Sequence, residues 1–452
     1  MTATSVATPR AAARPARLRQ GYRFELVKLL ALWRIRAVLA ACWLGPALLV
    51  AVVSRQSSLP TDTVFGRWMG STGWAGSLVV LSFSSIWVLP LLTSLVAGDV
   101  FAAEDRLGTW QHLLVAVRSL PRVFAAKALA SLTVILLLVA GLAVSSVAGG
   151  LAATGNRALV GLDGHLLQPG QAAAAVLLSW AVVLAPTLAF ASVGLLGSVA
   201  FGRSPTGLLL PAVLAFALQA VQLLPLPVAL RVSLPSYAFL AWRGLFTDPV
   251  QTAPLVLGVV VSLAWAVAAC ALAYRLFLRR DFTDRAYDGA GRPLLVHAAL
   301  PLAGLLVATT AVVAVTTPAA GSGIDRVQLE SSLATAYGHL YRLQSRELGR
   351  PDVTEQQLSS SAACDKGGSR VTDRGPGHDW RCVVSWRIPG ATVTGSAVYQ
   401  LDVAADGRYV ADGDGPAAVN GFFQVRTATG DAPNPLWQLD GSVDLLTPPM
   451  KG

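Results

Sequence analysis

Charged side chains are what this sequence lacks. They make up 13% of its 452 residues, about half the share found in an ordinary soluble domain, and they are distributed unevenly. Seven stretches, 37–53, 73–98, 128–154, 172–202, 204–230, 249–274 and 294–316, contain no Asp, Glu, Lys or Arg. A helix needs about 20 apolar residues to cross about 30 Å of hydrocarbon, and a charge at its centre costs about 2.5 to 3.5 kcal/mol on insertion scales. Six of the stretches exceed that length. The first, at 17 residues, requires turns borrowed from the flanking Arg36 or Ser54. A soluble core does not produce seven such runs, and the sequence reads as a polytopic helical membrane protein.

Lysine is also scarce. The four lysines, Lys28, Lys127, Lys366 and Lys451, are followed by Leu29, Ala128, Gly367 and Gly452, so the Lys-Ser/Thr step of a phosphate-binding loop does not occur. Metalloprotease, nucleophile-elbow and dinucleotide-binding motifs are missing too. The apolar runs carry no ionisable residue that an ion-coupled carrier would need at depth, their one histidine, His297, lying near a run's end. The sequence therefore offers no catalytic, cofactor-binding or metal residues of its own. Asp163 and His165 are the one pair that an enzyme reading has, and they sit beside Gly161 and Gly164 as a turn would.

Basic residues set the orientation. Between the apolar runs, eighteen Lys and Arg fall on the N-terminal side and five on the other, which puts the N-terminus in the cytoplasm and, with seven crossings, the C-terminus outside. The net charge of +10 is then a matter of topology and anionic lipid, not of nucleic acid.

The expected organisation is a disordered cytoplasmic arm (1–20), a six-span core with an interfacial N-terminal helix (21–274), a cytoplasmic loop (275–293), a seventh span (294–316), a linker (317–323) and an extracytoplasmic α+β domain (324–452). In the interfacial helix, Glu25, Lys28 and Arg36 share a stripe expected to face outward, with Phe24, Val27, Leu30 and Trp33 in lipid. The aromatic run 234–246 is expected as an interfacial or re-entrant helix. In the tail, Ile324, Val327, Ser331, Ala334, Tyr337, Tyr341 and Leu348 form a helical stripe, and alternation in 382–388 and 397–403 predicts antiparallel strands with a turn at Asp406-Gly407.

Four cysteines are few, and they divide cleanly. Cys42 and Cys270 lie in apolar runs, whereas Cys364 and Cys382 lie in the tail, where an oxidising compartment favours a disulfide over a metal site with His378.

The loop 97–127 holds Glu104, then Gly108-Thr109, the pair Leu113-Leu114, Arg118 and Lys127. Thr109 is placed to cap a short helix with Trp110, Leu113, Leu114 and Val117 on its apolar side. This succession resembles the first cytoplasmic loop of type 2 ABC exporter permeases, and the aromatic run 234–246 resembles the extracellular helical element of that family. The resemblance covers about the first 275 residues, with Val117 standing where the family pattern has a Pro. It implies a permease subunit that dimerises as a homo- or heterodimer, sits in lipid, and docks a separate cytoplasmic ATPase that binds ATP and Mg. Glu104, Gly108, Thr109, Leu113 and Arg118 would then form the coupling loop. Ser82, Ser84, Ser85 and Thr93 of the second apolar run are candidates for the pathway lining. The alternative is a membrane sensor or envelope assembly factor whose tail domain binds a ligand.

Overall fold

The computed structural model describes residues 18–56, 71–117, 119–202, 205–282, 291–317, 323–367, 372–428 and 430–447. The arm up to residue 17, Arg118 and most of the linker lie outside them.

Helix α1 (Leu18–Ala31) is separated by extended Leu32 from α2 (Trp33–Val53), which gains its missing turns on the N-terminal side. Next come α3 (Gly73–Val96), interrupted by a π turn at Ser84–Val88, the short α4 (Ala102–Leu107) and α5 (Trp110–Val117), and the long α6 (Leu120–Thr154). A small hairpin of β1 (Leu159–Val160) and β2 (Leu166–Leu167) leads to α7 (Pro169–Phe201). After it come α8 (Pro205–Val221), α9 (Val228–Val232), α10 (Thr252–Leu278) and α11 (Gly291–Thr316).

Six of these helices, α2, α3, α6, α7, α10 and the Val296–Thr316 part of α11, are long and apolar enough to cross a membrane. The run 204–230, read from sequence as a full span, yields only the 17 residues of α8. Pro225 and Pro227 follow closely, and neither can supply the N–H that would continue the helix. Small residues bring the helices together. A Cβ on Gly150 of α6 or on Gly73 of α3 would overlap the other's backbone, and Gly197 of α7 and Gly207 of α8 stand in the same relation. Close approach through glycine is the usual means of packing where lipid leaves no hydrophobic drive between helices.

The aromatic run 234–246 is not a single interfacial helix. It is a series of short helical turns whose Phe239, Trp242 and Phe246 are buried, with Phe239 stacked on Phe190 of α7 at 5.8 Å.

The tail folds as helix α12 (Arg326–Glu347) on a five-stranded antiparallel sheet. Its strands β3 (Ser359–Lys366), β4 (Gly377–Arg387), β5 (Gly395–Val403), β6 (Arg408–Gly413) and β9 (Gln438–Ser442) lie in that order. A two-stranded ribbon of β7 (Gln424–Thr427) and β8 (Gly430–Pro433) precedes the last strand. Asp325 caps α12, accepting from the Gln328 N–H at 2.9 Å. The inward positions of β4 and β5, Cys382 and Val384 with Ala397, Tyr399 and Leu401, meet Leu329, Leu333 and Tyr337 of α12. Val327 and Ser331, assigned to the inward stripe from sequence, are exposed. Cys364 and Cys382 face each other across the β3–β4 ladder and are joined by a disulfide. The turn at Asp406-Gly407 is present, with Gly407 in the left-handed region at φ 85°.

The tail domain sits on one end of the helix bundle. Val228, Ala229 and Val232 of α9 and Val313 of α11 share its core. The Gln251 amide donates to the Ser442 carbonyl at 3.1 Å, and the Arg231 guanidinium donates to the Ala405 carbonyl. Helices α1, α4 and α5 lie at the opposite end, against the start of α6 and the ends of α7 and α10.

Candidate functional site

At the end of the bundle away from the tail domain, the chain gathers charge that its sequence otherwise avoids. Glu104 on α4 is 1% exposed. It accepts from the Lys127 ammonium of α6 at 2.7 Å, from Lys28 of α1 and from the Thr109 hydroxyl. Lys127 also donates to Glu25 of α1 at 3.0 Å and to the Val100 carbonyl at 3.4 Å. Next to them, Asp105 accepts from the Trp110 indole N–H at 2.7 Å and from both terminal nitrogens of Arg280, just beyond α10. Asp99, at the exit of α3, accepts from Arg34 and Arg106. An aromatic cluster closes over the group, with Trp110 at 5.6 Å from Phe277 and Arg280 lying over the Trp110 ring at 5.6 Å.

The backbone holds α4 in this position. Its first N–H groups, from Phe101 and Ala102, donate to the Ser198 hydroxyl of α7 at 3.0 and 2.9 Å, which supplies partners that a helix start lacks. Gly108 ends the helix in the left-handed region at φ 63°, and the Thr109 N–H closes the turn on the Glu104 carbonyl at 3.1 Å. Burial alone would raise the Glu104 carboxyl. The Lys127 charge and the hydrogen bonds from Lys127, Lys28 and Thr109 outweigh it and hold the group at about 2.

This corrects the reading of α1. Its Glu25 and Lys28 face the protein, while Phe24, Val27 and Trp33 are exposed as expected. Of the loop residues singled out from sequence, Glu104, Thr109 and Gly108 build one constellation. Leu113 lines a neighbouring cavity of about 420 Å³ between α1 and α5, and Arg118 is outside the described residues. Sequence reading placed Glu25 on an outward stripe and did not assign Asp99, Asp105 or Arg280 to the site. The usable signal was scarcity: only ten acidic residues precede the tail, and four of them meet here.

The hydroxyls of the second apolar run are largely satisfied within their own helix. Ser82 and Ser85 donate to the Leu78 and Leu81 carbonyls at 2.9 and 2.7 Å, and Thr93 to Pro90 at 2.7 Å. Ser84 is buried. Of the four, Ser82 borders a cavity of about 870 Å³ that lies between α3, α8 and the tail domain. Phe83, Trp87 and Phe216 are among its apolar lining, and Arg243, Asp406 and Arg408 among its polar lining. The π turn of α3 forms one wall. Pro90 has no N–H to give the Ile86 carbonyl, and Gln219 of α8 donates to the Ser85 and Ile86 carbonyls at 3.4 and 3.3 Å instead. A π turn is frequently found at a functional position.

Asp163 and His165 pair within their turn, the Asp163 carboxylate contacting the His165 ring nitrogen at 2.5 Å, and Asp163 also accepts from the Asp248 N–H at 2.7 Å. No protein-family model and no curated protein matches the chain.

Proposed function

We propose that the chain is the permease subunit of an ATP-driven exporter, docking a separate ATPase through the α4–α5 loop and working as a dimer. The carrying observation is the buried charge cluster. It ties the loop to α1 through Lys28, to α6 through Lys127 and to the end of α10 through Arg280. A partner that moves the loop must move those helices or break buried ion pairs, and removing one partner of such a pair costs about 3 to 5 kcal/mol. The loop also presents Leu107 and Val115, 68% and 73% exposed, as apolar contacts for a docking protein. ATP and Mg belong to that partner, and an amphipathic substrate suits the cavity beside the π turn, whose lining is aromatic on one part and charged on another.

In this reading α8 completes a seventh crossing, the N-terminus is cytoplasmic and the tail domain lies outside. The basic bias, the disulfide and the packing of the tail on the end opposite the α4–α5 loop all support that orientation. A sensor or assembly factor is the second reading, favoured by the part that the tail domain takes in lining the cavity.

Affinity purification from native membranes separates the two. An ATPase should accompany the wild-type chain and be lost from Leu107→Glu and Val115→Glu, both fully folded because those side chains are exposed. A wild-type chain that retains no ATPase would sink the permease reading in favour of the second.

A further inference from the structure

The seam between the tail domain and the membrane body holds a second cluster of titratable side chains, apart from the charge cluster of the α4–α5 loop. The His339 side chain on α12 is 2% exposed. Its Nδ1 faces two acceptors, the Asp163 carbonyl at 3.3 Å and the Asp163 carboxylate at 3.5 Å, so Nδ1 carries the proton. The lone pair of the neutral ring is then on Nε2, which makes no hydrogen bond among the described residues. Its polar neighbours are Oε2 of Glu355 at 3.4 Å and Oδ2 of Asp248 at 4.0 Å. Three acceptors facing one another repel unless a proton on Nε2 or a metal cation lies between them.

The geometry fits a small divalent ion. The three donor atoms lie within 4.8 Å of one another. Tetrahedral zinc, with ligands about 2.0 to 2.1 Å away, places its ligand atoms about 3.3 Å apart, close to the His339–Glu355 spacing. The ligands are also oriented from behind. Arg342 donates to Oε1 of Glu355 at 2.7 Å and leaves Oε2 free. Asp163 accepts both from His339 and from the Asp248 N–H, as outer partners of metal ligands commonly do. Asp248 and Glu355, 61% and 41% exposed, leave access and room for a water as fourth ligand. An imidazole beside two carboxylates suits zinc better than magnesium or calcium.

We propose that Asp248, His339 and Glu355 form a zinc site that fastens the tail domain to the segment leading into α10. Two ligands belong to the tail and one to the membrane body, so the ion bridges them.

The test uses the full chain in detergent, stripped with a chelator and titrated with Zn²⁺ alone. Metal content is read by mass spectrometry after desalting, and affinity by competition with a chromophoric chelator. One zinc per chain is expected, with Glu355→Gln and Asp248→Asn each weakening binding at least tenfold and His339→Gln abolishing it. The two carboxylate variants alter exposed side chains and keep the test valid if His339→Gln fails to fold. Cobalt in place of zinc should give the intense visible bands of a tetrahedral site. A chain that retains no zinc would overturn the proposal, the cluster then being closed by a proton on Nε2. So would binding of the same strength in Glu355→Gln and Asp248→Asn.

Discussion

Lys127→Met tests the charge cluster most directly. The ammonium lies 2.7 Å from Glu104 and 3.0 Å from Glu25 and is 1% exposed. At an effective dielectric constant of about 20, each of these contacts is an attraction of about 5 to 6 kcal/mol. Taking the ions out of water costs several kcal/mol apiece, so the net worth of the arrangement is far smaller than its Coulomb terms. The loss on removing Lys127 comes mainly from what stays behind. Glu104 keeps Lys28 and Thr109, whereas Glu25 is left buried with no other ion partner among the described residues. A loss of about 3 to 5 kcal/mol follows. Equilibrium unfolding of the detergent-solubilised chain by increasing SDS, followed by tryptophan fluorescence, measures it. Adding Glu25→Gln removes the orphaned charge and should recover at least half of the loss, giving a coupling term that a merely misfolded variant would not show. A Lys127→Met chain as stable as wild type, or a double variant no better than the single one, would refute the reasoning.

Two further outcomes can be stated. The Glu104 carboxyl is depressed from its usual 4.5 to about 2, so its contribution to stability is complete above pH 4.5 and is lost as pH falls toward 2. Between those values wild type should lose stability more steeply than Glu104→Gln, by up to about 1.4 kcal/mol per pH unit, in the same unfolding assay. The disulfide closes a loop with a sequence separation of 18, so Cys364→Ser should destabilise the tail domain by about 3 kcal/mol. Limited proteolysis of the tail reads that change.

Composition made the bundle legible because a run of apolar residues longer than the bilayer has few other uses. The tail strands were legible for a different reason: Val384 and Cys382, or Tyr399 and Leu401, alternate with exposed residues as a half-buried strand requires. The stripe on α12 held in part: Ile324, Tyr337 and Tyr341 lie in the core, whereas Val327 and Ser331 are exposed, since the helix begins only after the Asp325 cap. Leu329, Leu333, Ala336 and Leu340 complete the inward set. The stripe on α1 was inverted for a physical reason. In lipid an apolar face is the outside, so Glu25 and Lys28 turn toward the protein where partners exist. Which partners those are was beyond any local pattern, since Glu25 and Lys127 are 102 positions apart.

The two ends of the bundle are joined by α3, and this bears on where a movement of the loop would be absorbed. Asp99 follows its last turn and belongs to the charge cluster, while Ser82 and Trp87 near its middle line the large cavity. Between them Gly98 presses against the backbone of Leu208, and Ser94 accepts from the Ala212 N–H at 3.0 Å, so this half of α3 is held to α8. The π turn closes its backbone with wider bonds, as from the Leu89 N–H to the Ser84 carbonyl, and its Ser85 and Ile86 carbonyls accept from the Gln219 side chain. A displacement entering at the loop meets firm packing as far as Pro90 and then the π turn, two of whose carbonyls accept from a side chain of limited reach. Under the permease reading, the change in shape falls on the cavity wall and not on the glycine contact between Gly73 and Gly150 beyond it.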